Sequence, residues 1–229
     1  MSEETKKNDA PSEPKESGRG LDAMKVRTQL AGVLHWTDRL GKKLVGAYDR
    51  IFSLKEEDEA AIYLDVGVDY ATTGKAATAA EALEKSLKLQ PNNKDAWYHL
   101  GKVRMLMRDL PGAVAAFEKS KELGNDSFDL HFAWSEALAD RDDLPGAVVE
   151  LRAAVALKAD AAEAFYRLGV ALDKLKKYEE AVVAFEKAIG VSPREVNYYQ
   201  SLGFTYDTMG QHEKAIGCFK RAVELERRR

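Results

Sequence analysis

Four histidines, His35, His99, His131 and His212, and one cysteine, Cys218, are the residues of this 229-residue chain best suited to metal ligation or nucleophilic attack. None is set for that work. The histidines lack the paired spacing a zinc site needs, and a lone cysteine cannot supply a cysteine cluster or an internal disulfide. Cys218 stands beside Phe219, where a small apolar side chain suits packing, and reads as structural. No glycine-rich phosphate loop, nucleophile elbow or kinase signature occurs. The carboxylates are numerous but spread over surfaces where solvation and pairing account for them. The expectation is a protein that is not an enzyme and takes no cofactor and no metal, and whose chemistry is recognition.

The elements that would position such a surface follow from an internal period. Five segments of 34 residues superimpose without a gap, 60–93, 94–127, 128–161, 162–195 and 196–229. One column reads Tyr63, Trp97, His131, Phe165, Tyr199, and another Ala79, Ala113, Ala147, Ala181, Ala215. Leu83, Phe117, Leu151, Phe185 and Phe219 follow four residues later, then Ser86, Ser120, Ala154, Ala188 and Ala222. Small columns beside bulky ones describe two helices packed closely in each copy. That arrangement resembles the tetratricopeptide pattern, and it implies an all-α solenoid of helical hairpins, superhelical and hook-shaped. The sequence Asp-Leu-Pro-Gly-Ala-Val occurs at Asp109–Val114 and again at Asp143–Val148, an acid before a proline that can open a second helix. Gly74 and Gly210 mark the same turn in the first and last copies. The third copy departs most, with His131 for the aromatic, Ser135 for the glycine and Ala159 for a closing proline such as Pro91 or Pro193. His131 reads as a packed core histidine in preference to a switch or a ligand.

In stacked hairpins the first helices line one inner face, and the residues that packing leaves over point into it. Those residues are Asp95, Tyr98 and Lys102, then Asp129, Phe132 and Glu136, then Glu163, Tyr166 and Val170, with Arg167 beside them, then Asn197, Gln200 and Phe204. Tyr98, Phe132 and Tyr166 form an aromatic row suited to anchoring a peptide or helix. Lys102 and Arg167 could select an acidic feature, while Asp95, Asp129, Glu136 and Glu163 make much of the face acidic. The competing reading is that the rings pack against the adjacent first helix. Tetratricopeptide domains that clamp a C-terminal carboxylate use lysine, asparagine and arginine at set places. Tyr98, Lys102, Ala133, Glu163 and Arg167 stand there, and only the arginine fits.

A net charge of -3 gives no reason to expect nucleic acid, and no apolar run approaches the roughly 20 residues that span a bilayer. Residues 1–20 are polar and carry no secretory core, so a disordered tail and a cytoplasmic location are expected. Residues 21–59 read as a basic amphipathic helix or a degenerate hairpin, with Leu30, Val33, Leu34, Leu40, Leu44 and Tyr48 at helical spacing. Between Lys25 and Lys55, the cations Lys25, Arg27, Arg39, Lys42, Lys43, Arg50 and Lys55 face only Asp38 and Asp49, seven against two, a net charge of +5 over that stretch. Such a segment could cap the solenoid or lie on an anionic membrane. At the other end, the apolar side of Ile216, Phe219 and Val223 is expected to be partly exposed.

Taken whole, residues 25–226 resemble the MamA family of magnetosome-associated proteins. The likeness rests on Phe52-Ser53-Leu54 before an acidic stretch, Tyr63-Leu64-Asp65-Val66-Gly67, Arg167-Leu168-Gly169-Val170-Ala171-Leu172-Asp173, and Met209-Gly210-Gln211-His212-Glu213-Lys214-Ala215. The resemblance implies a scaffold that coats the cytoplasmic face of the magnetosome membrane, self-assembles and holds other magnetosome proteins. It also implies a head-to-tail contact between the basic segment, with Lys25, Arg27, Arg39, Lys42, Lys43 and Arg50, and the inner face around Tyr98, Phe132 and Tyr166. The alternative is a monomeric peptide-binding adaptor or co-chaperone of unrelated biology.

Overall fold

The structure, a computed structural model, describes residues 55–228. The polar tail of 1–20 and the basic segment from Lys25 to Arg50 lie outside the described residues. Leu54–Arg229 form one compact unit, and the described residues contain ten α-helices and no strand. They are α1 (Glu56–Thr72), α2 (Ala76–Leu89), α3 (Lys94–Leu106), α4 (Leu110–Glu122), α5 (Phe128–Asp140), α6 (Leu144–Leu157), α7 (Ala162–Lys174), α8 (Tyr178–Val191), α9 (Val196–Thr208) and α10 (His212–Glu226).

The starts of α2, α4, α6, α8 and α10 recur every 34 residues, as do those of α3, α5, α7 and α9. Only α1 begins early, where Glu56, Glu57, Asp58 and Glu59 place four carboxylates on the positive end of its dipole. Asp109 and Asp143 cap α4 and α6, each accepting from the glycine N–H three residues on, at 3.1 and 3.0 Å. The turn within each hairpin passes through one left-handed residue. Gly74 and Gly210 take it freely, whereas Arg108, Asp142 and Lys176 adopt φ of 62°, 64° and 60°.

The alanine column is the contact point within each hairpin. Ala79, Ala113, Ala147 and Ala181 are fully buried and Ala215 nearly so. A Cβ at Gly101 would lie 2.5 Å from the Phe117 ring, and one at Gly169 would lie 2.6 Å from Phe185, so a phenylalanine in the bulky column fits over glycine. Ser135, in the same column, is buried and satisfied by donating to the Phe132 carbonyl at 2.6 Å. The serines of the last small column do more than fill space. Ser86 Oγ donates to the Ala60 carbonyl at 2.7 Å and Ser120 Oγ to Lys94 at 2.8 Å, tying second helix to first.

His131 is 1% exposed and belongs to a buried polar cluster. Its Nδ1 lies 2.5 Å from Glu150 Oε2 on α6, and its Nε2 lies 2.8 Å from Asp126 Oδ1 before α5. The hydrogen bond to His131 holds the Asp126 carboxyl below the usual carboxylate range. Beside this cluster, the buried Trp134 indole N–H finds no hydrogen-bond partner among the described residues. The Cys218 thiol is half-buried, and burial, with Glu186 nearby, pushes its pKa up.

Candidate functional site

The first helices bring the candidate residues onto one face, because α1 meets α3, α3 meets α5, and α7 meets α9 directly. On α3 the Tyr98 ring lies tilted against Phe117 at 6.2 Å and edge-on to His99 at 5.0 Å, with Lys102 Nζ 5.6 Å above it. Burial, with Asp129 and Glu136 adding to it, raises the Tyr98 hydroxyl to about pKa 12, so it stays a proton donor at any physiological pH. Burial also lowers the His99 pKa, with Lys102 reinforcing it, so that ring is held neutral.

One repeat along, Phe132 stacks on Phe128 at 5.5 Å and carries the Arg167 guanidinium 5.1 Å over its ring. Arg167 reaches two carboxylates, Glu136 on α5 at 2.7 Å and Glu163 on its own helix at 2.8 Å. A single arginine therefore couples α5 to α7 and offsets two of the four acids expected on this face. Tyr166 is placed between hairpins, 5.8 Å from Phe185 and stacked at 4.8 Å on Tyr198 of α9. Its hydroxyl accepts from Ser201 at 3.4 Å.

The aromatic row thus runs along α3, α5 and α7 in the expected order, with each ring half-buried against a neighbour. Asp95 and Asp129 remain exposed and make no ion pair among the described residues. They are the two of the four expected acids that no cation neutralises among the described residues. Two contributors escape a reading of leftover positions, Tyr198 and Thr205. Tyr198 is buried in a column that elsewhere holds Ile62, Ala96, Leu130 and Ala164, which is the signal that it does something more. Its hydroxyl donates to Glu163 at 3.5 Å, and Thr205 donates to Asp173 of the preceding first helix at 2.7 Å. Phe204 is 64% exposed at the end of the same face, edge-on to Phe219 at 5.1 Å.

Among the described residues no cluster of three or more His, Cys, Asp or Glu is placed to hold a metal ion. No helix there is long and apolar enough to cross a membrane. What the face can do is grip an extended or helical segment through rings, two free carboxylates and a phenolic donor.

Helical hairpins on a 34-residue period, with first helices lining a face of aromatic and charged side chains, define a tetratricopeptide protein. Family models agree: the cytochrome c-type biogenesis protein H tetratricopeptide domain matches residues 80–188, and the tetratricopeptide repeat matches 60–93 and 196–229. No curated protein matches the chain significantly. Among solved structures, a MamA protein is 31% identical with a TM-score of 0.71, the match covering 74% of this chain and 93% of that one. MamA from Desulfovibrio magneticus RS-1, residues 41 to the end, is 27% identical with a TM-score of 0.72, covering 76% and 99%. The tetratricopeptide protein YrrB, described as having an unusual peptide-binding site, shares the fold at 23% identity and a TM-score of 0.71, covering 79% and 90%. The chain belongs to the MamA family of tetratricopeptide proteins.

Proposed function

We propose that this protein is a non-enzymatic scaffold that self-assembles on the cytoplasmic face of the magnetosome membrane and holds other proteins there. Membership of the MamA family supports the setting, and the inner face supports the mechanism. The observation that carries it is the pair of exposed, unneutralised carboxylates on adjacent first helices, Asp95 and Asp129, the second of which acts on the Tyr98 hydroxyl. Exposed carboxylates one repeat apart suit a basic segment, and the chain carries one, with Lys25, Arg27, Arg39, Lys42, Lys43 and Arg50. Insertion of that segment of one molecule into the inner face of the next is a heterologous contact, which grows into rings or open filaments. Tyr98, Phe132 and Tyr166 supply the apolar floor, Lys102 and the Glu136–Arg167–Glu163 bridge its rim.

Light scattering of the full chain beside its Asp95→Lys/Asp129→Lys variant tests the reading. Large assemblies that shrink in the variant, and shrink in the wild type as salt rises, are the expected result. Equal masses for the two proteins, with melting curves unchanged, contradict it.

A further inference from the structure

Two of the joints between successive hairpins are closed by a polar ring atom and a proline. The Trp97 indole N–H donates to the Pro91 carbonyl at 2.8 Å, and the Tyr199 hydroxyl donates to the Pro193 carbonyl at 3.1 Å. The same two columns at the joint of the third and fourth hairpins hold Phe165 and Ala159. Phe165 has no polar atom to donate and Ala159 no ring to fill the joint. A cleft of about 510 Å³ lies there between α6 and α8, lined by Val155, Ala156, Ala159, Phe165 and Val183.

The cleft walls are largely apolar, and Val183 among them is 52% exposed; α6 also exposes Val149 and Leu157, at 62% and 50%. Only two residues of α6 are charged, Glu150 and Arg152, and Glu150 turns inward to His131. A concave, mostly apolar cleft with a few polar groups at its edge is the kind of surface that takes a ligand side chain. Its charge is also defined. Arg152 is neutralised by Glu180, whereas Lys187 lies 5.4 Å over the Phe165 ring and makes no ion pair among the described residues.

We propose that this cleft is a docking site separate from the inner face, and that its occupant is a peptide segment carrying an aliphatic or proline side chain beside a carboxylate. The apolar side chain takes the place that Pro91 and Pro193 hold at the other joints. The carboxylate meets Lys187. A concave apolar cleft accepts an inserted side chain, where a bilayer would need a convex or flat surface.

The test is to pan the full chain against a phage-displayed library of short random peptides and to measure synthesised winners by fluorescence anisotropy. Lys187→Glu removes the cation, and Ala159→Pro restores the plug. Proline is compatible at 159, since Lys158 is already extended at φ -138° and ψ 94°, and the Ala159 N–H donates no backbone hydrogen bond. The expected winners place Leu, Ile, Val or Pro next to Asp or Glu, and bind about tenfold more weakly to each variant while melting curves stay unchanged. The proposal is overturned if no peptide is enriched or if enriched peptides ignore both substitutions. It is equally overturned if Ala159→Pro alters the protein's own mass in light scattering, or if it abolishes binding to phosphatidylglycerol vesicles, which would make the occupant a second copy or a membrane.

Discussion

Phenylalanine in place of His131 would leave Glu150 ionisable, 6% exposed and without its ring partner. Removing one side of a buried pair costs about 3–5 kcal/mol, because the remaining charge keeps its desolvation penalty and loses its compensation. Removing both sides has a different outcome. The column that holds Glu150 reads alanine at Ala82, Ala116 and Ala184, and the column that holds His131 reads phenylalanine at Phe165. His131→Phe/Glu150→Ala therefore rebuilds in the third hairpin the pairing that is already buried in the fourth, where Phe165 and Ala184 are 6% and 4% exposed. Urea unfolding followed by circular dichroism should place the single variant about 3 kcal/mol or more below wild type, and the double variant within about 1 kcal/mol of it. At this size each kcal/mol moves the melting temperature by about 2–4 °C, so the single substitution should lower it by at least about 6 °C. A single variant that loses less than about 1 kcal/mol, or a double variant no more stable than the single one, refutes the reasoning.

The remaining predictions concern neighbouring features. The folded pKa of Asp126 lies below its unfolded value, so its contribution is present above the unfolded carboxylate range and is lost as pH falls through the folded value. Asp126→Asn should flatten the acid limb of a plot of melting temperature against pH and leave the neutral limb in place. Ala181→Leu overfills a fully buried contact and should cost about 1–3 kcal/mol in chemical denaturation, the test of the repeat register. Lys176→Gly relieves a left-handed residue at φ 60° and should gain about 1 kcal/mol in the same assay, whereas Gly210→Lys should lose a similar amount.

The hairpin packing is legible in the sequence because it depends on residue size at a fixed period. Ala181 has no freedom to be anything larger, and a small side chain in a bulky column shows as a break. The caps at Asp109 and Asp143 are legible for the same local reason, since donor and acceptor lie three residues apart. Arg108, Asp142 and Lys176 in the left-handed turn position are legible only through Gly74 and Gly210 in the same column. The inner face is harder to read. Arg167 sits one residue from Tyr166 in sequence, but its bridge to Glu136 spans two hairpins and depends on how closely α5 and α7 approach. Its effect is to neutralise part of a face that residue counting makes acidic. Tyr198 and Ser201 reach Tyr166 and Glu163 across a similar gap. The Glu150–His131 pair stands as two exceptions to two columns, yet neither exception explains itself until the chain folds back across the 19 positions that separate them.

In the proposed assembly, unneutralised carboxylates on the inner face receive the basic segment of another molecule. Mixing two full-length variants in sedimentation velocity tests it most directly, Asp95→Lys/Asp129→Lys with a reversed face and Lys42→Glu/Lys43→Glu with a reversed segment. Each variant alone should sediment as a small species and the mixture should regain assembly, because the intact segment then meets the intact face and the reversed segment meets the reversed face. A mixture that stays small, or single variants that assemble as the wild type does, would contradict it.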